Sequence, residues 1–355
     1  YHWDLPQRLQ NLGGWTNPLI VDWFADYASV VYSLYADRVK TWIPLNEPVI
    51  FCDAAYAGLH APGIVDPDIG VHLCAKNTLL AHAKAWRIYD EHMTCIIILY
   101  QTKQGGWPVL VENIIAENSR KQGFSQSRLP VFTEEEKQYI QGTYDFIALN
   151  HYTTFHGHAA SEGEAVGAWP FFGAPEIGAH VIFNAAWRPG ASFWFKVNPE
   201  GIRRMLVWLK EQYGDIEVLI TENGFASEGG LEDDDRIQYY VEYLQQVLLA
   251  IKEDNVNVTG YTAWSLMDNF EWSEGYTSKF GLYEVDFSSP ERTRTPRKSA
   301  RFFKKLIKQN SLKFMPKYTE ELYGVFNLAN PQYTFNVRSI IMYLICIVMY
   351  LICIR

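Results

Sequence analysis

Apolar runs of strand length alternate with helical repeats along the middle of the chain, and each such run ends in a short polar cluster. Asn17-Pro18 opens a helical stretch, a capping residue followed by a proline suited to a first turn. Within it Trp23, Phe24, Tyr27, Val30, Val31 and Leu34 recur at helical spacing. A strand is expected over Val39–Leu45, ending in Asn46-Glu47-Pro48, and a helix over 75–92. Tyr144–Leu149 reads as a buried strand ending in Asn150-His151-Tyr152. A helix over 199–213 starts at Pro199, and a strand over Glu217–Thr221 ends in Glu222-Asn223-Gly224. A helix over 233–253, a strand over Val258–Trp264 and a helix over Lys298–Lys308 complete the series.

Repeated strand-then-helix order implies an α/β fold with a parallel sheet, because parallel neighbours need a crossover between them. In a closed parallel barrel the residues that follow the strands converge on one face, where catalytic groups collect. Long connections at 51–74, 153–198 and 267–297 fit such a face.

Composition narrows the function. The chain has 355 residues, enough for one large α/β domain or two small ones, and 48% of them are apolar, which suits a sizeable core. Its net charge of −9 disfavours nucleic acid and anionic membrane surfaces and leaves a neutral substrate acceptable. Aromatic residues make up 15%, with 12 Trp, a supply of flat faces that serves sugar rings and cores alike. The five cysteines are odd in number and show no C-x-x-C spacing, so a disulfide framework or zinc site is not expected. Cys52 and Cys74 are read as free buried thiols, with a bond between them as the alternative. His151 and His156 have no carboxylate at ligand spacing, so no metal is expected, and nothing calls for a cofactor. Asn257-Val258-Thr259 is an N-x-[ST] sequon that runs straight into an expected strand.

The chemistry rests on carboxylates. A retaining glycoside hydrolase needs two of them about 5–5.5 Å apart, one protonated and one ionised. Two strand ends of one parallel barrel can bring distant glutamates that close. Glu47 and Glu222 both follow strands. Alone, either would pass for a solvated loop residue; their flanks, Asn46-Glu47-Pro48 and Thr221-Glu222-Asn223-Gly224, change that reading. Together with His2-Trp3-Asp4-Leu5-Pro6, Gly58-Leu59-His60-Ala61-Pro62-Gly63, Leu80-Ala81-His82-Ala83-Lys84-Ala85, Asn150-His151-Tyr152-Thr153-Thr154 and Trp264–Trp272, they resemble glycoside hydrolase family 1, in the same order along the chain. The resemblance covers roughly residues 1–315 and is strongest to animal enzymes, the insect β-glucosidases and the lactase-like group.

The resemblance implies a (β/α)8 TIM barrel acting on terminal β-D-glucosides, with a small β-glucoside or oligosaccharide as the partner and the oligomeric state left open. It makes Glu222 the nucleophile and Glu47 the acid/base. Tyr152 is similar to the tyrosine that bonds the nucleophile, and Asn46 to the asparagine that holds the sugar 2-hydroxyl. His2, Glu271 and Trp272 resemble the residues that grip the other hydroxyls, Trp264 the platform under the ring, and Phe280 a wall beside it. Trp187 is a candidate for the leaving-group side, with solvent-shielded loop packing as an equal alternative. A thioglucosidase, or a catalytically impaired sugar-binding relative, is the alternative.

The chain also departs from the family pattern. It opens without Met at what resembles the end of the third strand, so the barrel is expected to be incomplete, lacking the first two strands and, near 96–106, most of the fifth. With those strands go a sugar-binding glutamine and the arginine beside the nucleophile. Pro44 stands where the pattern has threonine and removes a donor from an expected central strand. Residues 1–315 are assigned to the catalytic barrel and 316–355 to an extension. Its apolar run 340–354 is read as sequence beyond the true coding end, ahead of a short membrane tether or a cleaved anchor signal. The parent enzyme is expected to be extracellular.

Overall fold

The computed structural model describes residues 1–90, 105–161, 163–164, 178–309 and 311–312. The expected fifth-strand region at 96–104 and the apolar run 340–354 lie outside these residues. The described residues cluster in two compact units, one built from Tyr1–Ala148 and His156–Ile182, the other from Leu149–Phe155 and the residues from Phe183 onward.

The first unit is mostly helical. Helix α1 spans Gln7–Gln10, α2 Ile20–Tyr35, α3 Gly70–Asp90, α4 Val109–Lys121 and α5 Glu134–Ile140. Helix α2 starts three residues after Asn17, whose Oδ1 accepts from the Leu19 N–H at 2.9 Å, so Asn17-Pro18 forms a lead-in turn rather than the helix cap. Its apolar face packs on α3. Trp15, Ile20, Phe24, Phe51, Cys52 and Cys74 form the centre of this core. Helix α5 opens with a capping box, in which Thr133 and Glu136 each bond the other's backbone N–H at 3.1 and 2.8 Å. A short antiparallel pair, β2 His156–Ala159 and β3 Ala179–Ile182, occupies part of the expected 153–198 connection.

Two expectations are corrected in this unit. Val39–Leu45 is not a strand. Pro44 has no N–H to give a ladder, its carbonyl accepts from the Tyr1 amino group at 2.8 Å, and the Asn46 N–H donates to the Tyr1 carbonyl at 2.9 Å. Those bonds hold the segment at one point without extending it into a ladder. Second, Cys52 and Cys74 are bonded to each other, with Cα atoms 5.5 Å apart. Spacing of 22 residues hid this; the turn that follows Glu47 carries Cys52 back onto the first turns of α3. Closing a loop of that length contributes about 3 kcal/mol. Reducing the bond, or making Cys52→Ser with Cys74→Ser, is therefore expected to lower the urea midpoint of the oxidised chain. Coincident midpoints would show that the bond adds nothing.

The second unit carries α6 Pro199–Tyr213, α7 Asp234–Lys252 and α8 Lys298–Gln309 around strands β4 Val218–Asn223 and β5 Val258–Ala263. Strands β4 and β5 are parallel and are joined through α7, which makes one β-α-β unit. Strand β1, Ile147–Asn150, precedes β4 in a sheet ordered β1-β4-β5. The helical expectation over 199–213 matches α6, where Pro199 sits in the first turn as its fixed φ allows. Strand β4 runs two residues further than expected and takes Glu222 and Asn223 into the sheet. Helix α7 buries Ile237, Tyr239, Tyr240, Val241, Tyr243 and Leu244, and the helix packs against α6 and α8.

The 267–297 connection holds a hairpin of β6 Tyr283–Val285 and β7 Arg294–Pro296. It is pinned by a fully buried ion pair, Arg297 Nη1 and Nη2 to the two oxygens of Asp268 at 2.8 and 2.9 Å. Asp268 Oδ1 also accepts the Gly281 N–H at 3.0 Å. Each polar atom of this buried pair thus has a partner, which a buried charge requires. Among the described residues no helix is long and apolar enough to cross a membrane.

Candidate active site

In the second unit three strand ends deliver side chains to one place. Glu222 lies in the last turn of pleat of β4 and is 2% exposed. Its backbone carbonyl accepts the His151 N–H at 2.9 Å, which ties the end of β4 to the residues after β1. In the next residue, the Tyr152 hydroxyl donates to Glu222 Oε2 at 2.8 Å. Asn150 is fixed by Thr221, whose Oγ1 donates to Asn150 Oδ1 at 2.6 Å. Trp264 follows β5; its N–H reaches the Asn223 carbonyl at 2.8 Å and its indole Nε1 donates to Glu271 Oε1 at 3.0 Å. Gly224 is required here, because a Cβ would stand 1.9 Å from the Trp264 carbonyl oxygen.

Phe280 is 1% exposed and meets the Tyr152 ring edge-on, with centroids 5.8 Å apart. Trp272 is buried and takes a positive φ of 42° directly after Glu271. The site thus joins two carboxyls, a tyrosine hydroxyl and an aromatic floor within one unit.

Burial sets the electrostatics. It pushes the Glu222 carboxyl well above the usual range; the Tyr152 hydrogen bond opposes it, the charge of Glu271 adds to it and Asn150 opposes again. Burial likewise pushes Glu271 up to about 8, against the Trp264 indole, with Glu274 and Asp268 adding repulsion. A carboxyl raised on folding stabilises the fold fully below its ordinary value near 4.5, and that contribution is lost as pH rises toward about 8. Each such group sets a slope of up to about 1.4 kcal/mol per pH unit in that window. The melting temperature is therefore expected to fall between pH 5 and 8, and Glu271→Gln to flatten the profile. A profile unchanged by Glu271→Gln would mean that Glu271 stays ionised in the fold.

The first unit holds the other sequence candidates. Glu47 is 2% exposed and has a φ of 47°, a left-handed conformation that costs a side-chain-bearing residue about a kilocalorie or more. Its carbonyl accepts from the N–H groups of Ile50 and Phe51 at 2.9 and 3.2 Å, so the chain turns helical immediately after it. The Asn46–Tyr1 bond carries His2 alongside this turn, and burial pushes the His2 imidazole down to about 4, which keeps it neutral. Glu47, Asn46 and His2 are thus gathered in one unit, and Glu222, Tyr152, Trp264, Glu271, Trp272 and Phe280 in the other.

Several residues in the second unit were not anticipated. Asn223 donates to the Tyr239 hydroxyl at 2.8 Å, and the hydroxyls of Tyr239 and Tyr243 donate to the Tyr152 carbonyl at 3.0 and 3.2 Å. This network holds the backbone on either side of the Tyr152–Glu222 bond. The spacing of Tyr239 and Tyr243, one helical turn apart, was the only available signal, and it reads equally as core. Trp194 stacks on Phe280, with centroids 6.4 Å apart at 18°, and donates its indole N–H to Glu274 at 3.1 Å. Trp187, the candidate for the leaving-group side, lies in a turn in which its backbone N–H donates to the Asn184 carbonyl at 3.1 Å. Among the described residues no group of three or more histidine, cysteine or acidic side chains is placed to hold a metal ion.

Comparison with known proteins identifies the family. The family model for Glycosyl hydrolase family 1 matches residues 1–105 and 96–312. Myrosinase 1 of Brevicoryne brassicae is 36% identical over 345 residues, covering 86% of this chain and 73% of the relative. The cytosolic beta-glucosidase of Cavia porcellus is 35% identical, covering 88% of this chain and 74% of its own length. The solved structure of an aphid myrosinase superposes with a TM-score of 0.80 at 36% identity, over 86% of this chain and 73% of that one.

Proposed function

Because the chain belongs to glycosyl hydrolase family 1, we propose that it is a retaining β-glycosidase of terminal β-D-glucosides, with Glu222 as nucleophile and Glu47 as acid/base. The observation that carries the reading is the buried Glu222 at the end of β4, held by the Tyr152 hydroxyl at 2.8 Å, its pKa raised by burial and by the charge of Glu271, itself bonded by Trp264. In the first step a Glu222 oxygen bonds the anomeric carbon while the glycosidic C–O bond breaks, and Glu47 gives its proton to the leaving oxygen. In the second step Glu47 takes a proton from water, the water oxygen bonds the anomeric carbon, and the Glu222 ester bond breaks. Once Glu222 is esterified its negative charge is gone, and in this mechanism that loss lowers the pKa of the acid/base Glu47 and suits it to act as base.

The remaining residues hold the sugar. Glu271 offers its carboxyl oxygens to hydroxyls, and the bonds they accept strengthen when the group is ionised, because charge-assisted bonds are stronger than neutral ones. Trp264 presents a flat face to the ring, with Trp272 and Phe280 beside it. Asn46 holds the 2-hydroxyl, where hydrogen bonds strengthen in the transition state, and His2 contacts another hydroxyl. The barrel in this reading is an incomplete (β/α)8 barrel. The β4-α7-β5 unit supports it, and the family match falling in two segments that overlap at 96–105 supports a deletion near the fifth strand. The Cys52–Cys74 bond supports an extracellular parent, since such bonds persist in oxidising compartments.

Product configuration tests the mechanism. With an aryl β-glucoside, proton NMR is expected to show β-glucose first, with α-glucose following only by mutarotation. Initial release of α-glucose would exclude a glycosyl-enzyme on Glu222.

A second reading, sugar binding with little turnover, is favoured by two observations. Val39–Leu45 forms no ladder ahead of Glu47, and burial holds Glu222 toward its protonated, non-nucleophilic form. Saturable binding of the glucoside without release of the aryl alcohol would select it.

A further inference from the structure

We propose that Asn257 is an N-glycosylation site, carrying one N-linked oligosaccharide on the end of the second unit remote from Glu222. Asn257-Val258-Thr259 is the one N-x-[ST] sequence in the chain, and its middle residue is not proline. Asn257 is exposed, whereas its neighbour Val256 is 3% exposed. The backbone around it is anchored: the Asn257 carbonyl accepts the Val218 N–H at 2.8 Å, and Val258 N–H reaches the Val256 carbonyl at 3.0 Å. The chain arrives from α7 through a left-handed turn at Asn255, with φ of 53°. An attached glycan therefore extends from a fixed point into solvent and displaces no core side chain.

Location makes the modification compatible with catalysis. Asn257 precedes β5, whereas Trp264 follows it, and Glu222 lies at the corresponding end of the parallel neighbour β4. The six residues of β5 place roughly 17 Å of strand between the glycan and the Trp264 end. Thr259, the residue that completes the sequon, is partly exposed and donates its Oγ1 to Glu217 at 2.7 Å. Its place in a strand is no obstacle, because sequons are modified while the chain is still extended during translocation.

An independent observation points to the compartment in which this chemistry occurs. The Cys52–Cys74 bond is buried in the first unit, and a bond of this kind forms where the surroundings are oxidising. The donor there is a polyprenyl-pyrophosphate-linked oligosaccharide. The Asn257 amide nitrogen bonds the anomeric carbon of its first sugar, the bond from that carbon to the pyrophosphate oxygen breaks, polyprenyl pyrophosphate leaves, and the amide proton passes to a base.

The test is independent of turnover. The full chain is expressed behind a cleavable secretion signal in eukaryotic cells, and total extract is analysed before and after N-glycanase. Loss of the signal, read by mass, establishes that the chain entered the lumen. One downward mobility step on digestion is expected, with conversion of position 257 to aspartate in the peptide map. Asn257→Gln and Thr259→Ala should each migrate with the digested protein from the outset. A signal-cleaved chain with no digestion step, or a step that persists in Asn257→Gln, would overturn the assignment.

Discussion

Glu222→Ala is expected to lower hydrolysis of an aryl β-glucoside by ~10^4- to 10^6-fold, the loss typical of removing a catalytic nucleophile. The side chain is 2% exposed, and burial already opposes its charge, so the variant should fold and melt no lower than the parent at neutral pH. That stability separates a chemical effect from a structural one. Truncation also leaves a space beside the anomeric carbon that a small anion can fill. Azide is expected to restore turnover by bonding that carbon directly, which gives the α-glucosyl azide because only one displacement then takes place. Rescue that yields the β-azide would mean that the nucleophile is elsewhere. A folded Glu222→Ala retaining parental activity would remove Glu222 from the mechanism altogether.

Glu47→Gln should separate the two steps. Protonation matters when the departing oxygen is strongly basic, and general acid catalysis contributes ~10^2- to 10^4-fold. Alkyl β-glucosides are expected to lose that factor in the first step. A dinitrophenyl glucoside leaves without help, so its first step should stay within about tenfold of the parent. The second step still needs a base, and the glycosyl-enzyme should accumulate as a burst of one dinitrophenolate per active chain. Equal loss on both substrates, without a burst, would mean that Glu47 is not the proton donor. The substitution preserves side-chain volume and leaves the left-handed backbone at position 47 no more costly than before.

The helices were legible because periodicity reports burial, and burial dominates helix formation in a core this large. Helix α6 begins at Pro199 as expected since proline's fixed φ suits a first turn. Strand β5 falls within the strand expected over Val258–Trp264. Strand β4 was read two residues short because Glu222 and Asn223 are polar; their partners, Tyr152 and Tyr239, are what allow them to be buried. Asn17 misled for a local reason: its side chain satisfies the Leu19 N–H, one turn before the helix proper. Val39–Leu45 misled because an apolar run carries no information about its ladder partners. The same segment with a donor at 44 and neighbours on both sides would read identically.

What the sequence determined by itself was the chemistry on offer: two glutamates in distinctive flanks, the order of strands and helices, and the family to which that order belongs. These are local properties, set by neighbours a few residues away. The tertiary structure alone decided which groups act on one another. It joined Tyr152 to Glu222 across 70 residues of chain, Trp264 to Glu271, and Cys52 to Cys74. It also raised the Glu222 and Glu271 carboxyls, since the cost of a charge depends on how much water the surrounding fold removes from it. That cost is a property of the assembled surroundings, and no spacing in the sequence encodes it.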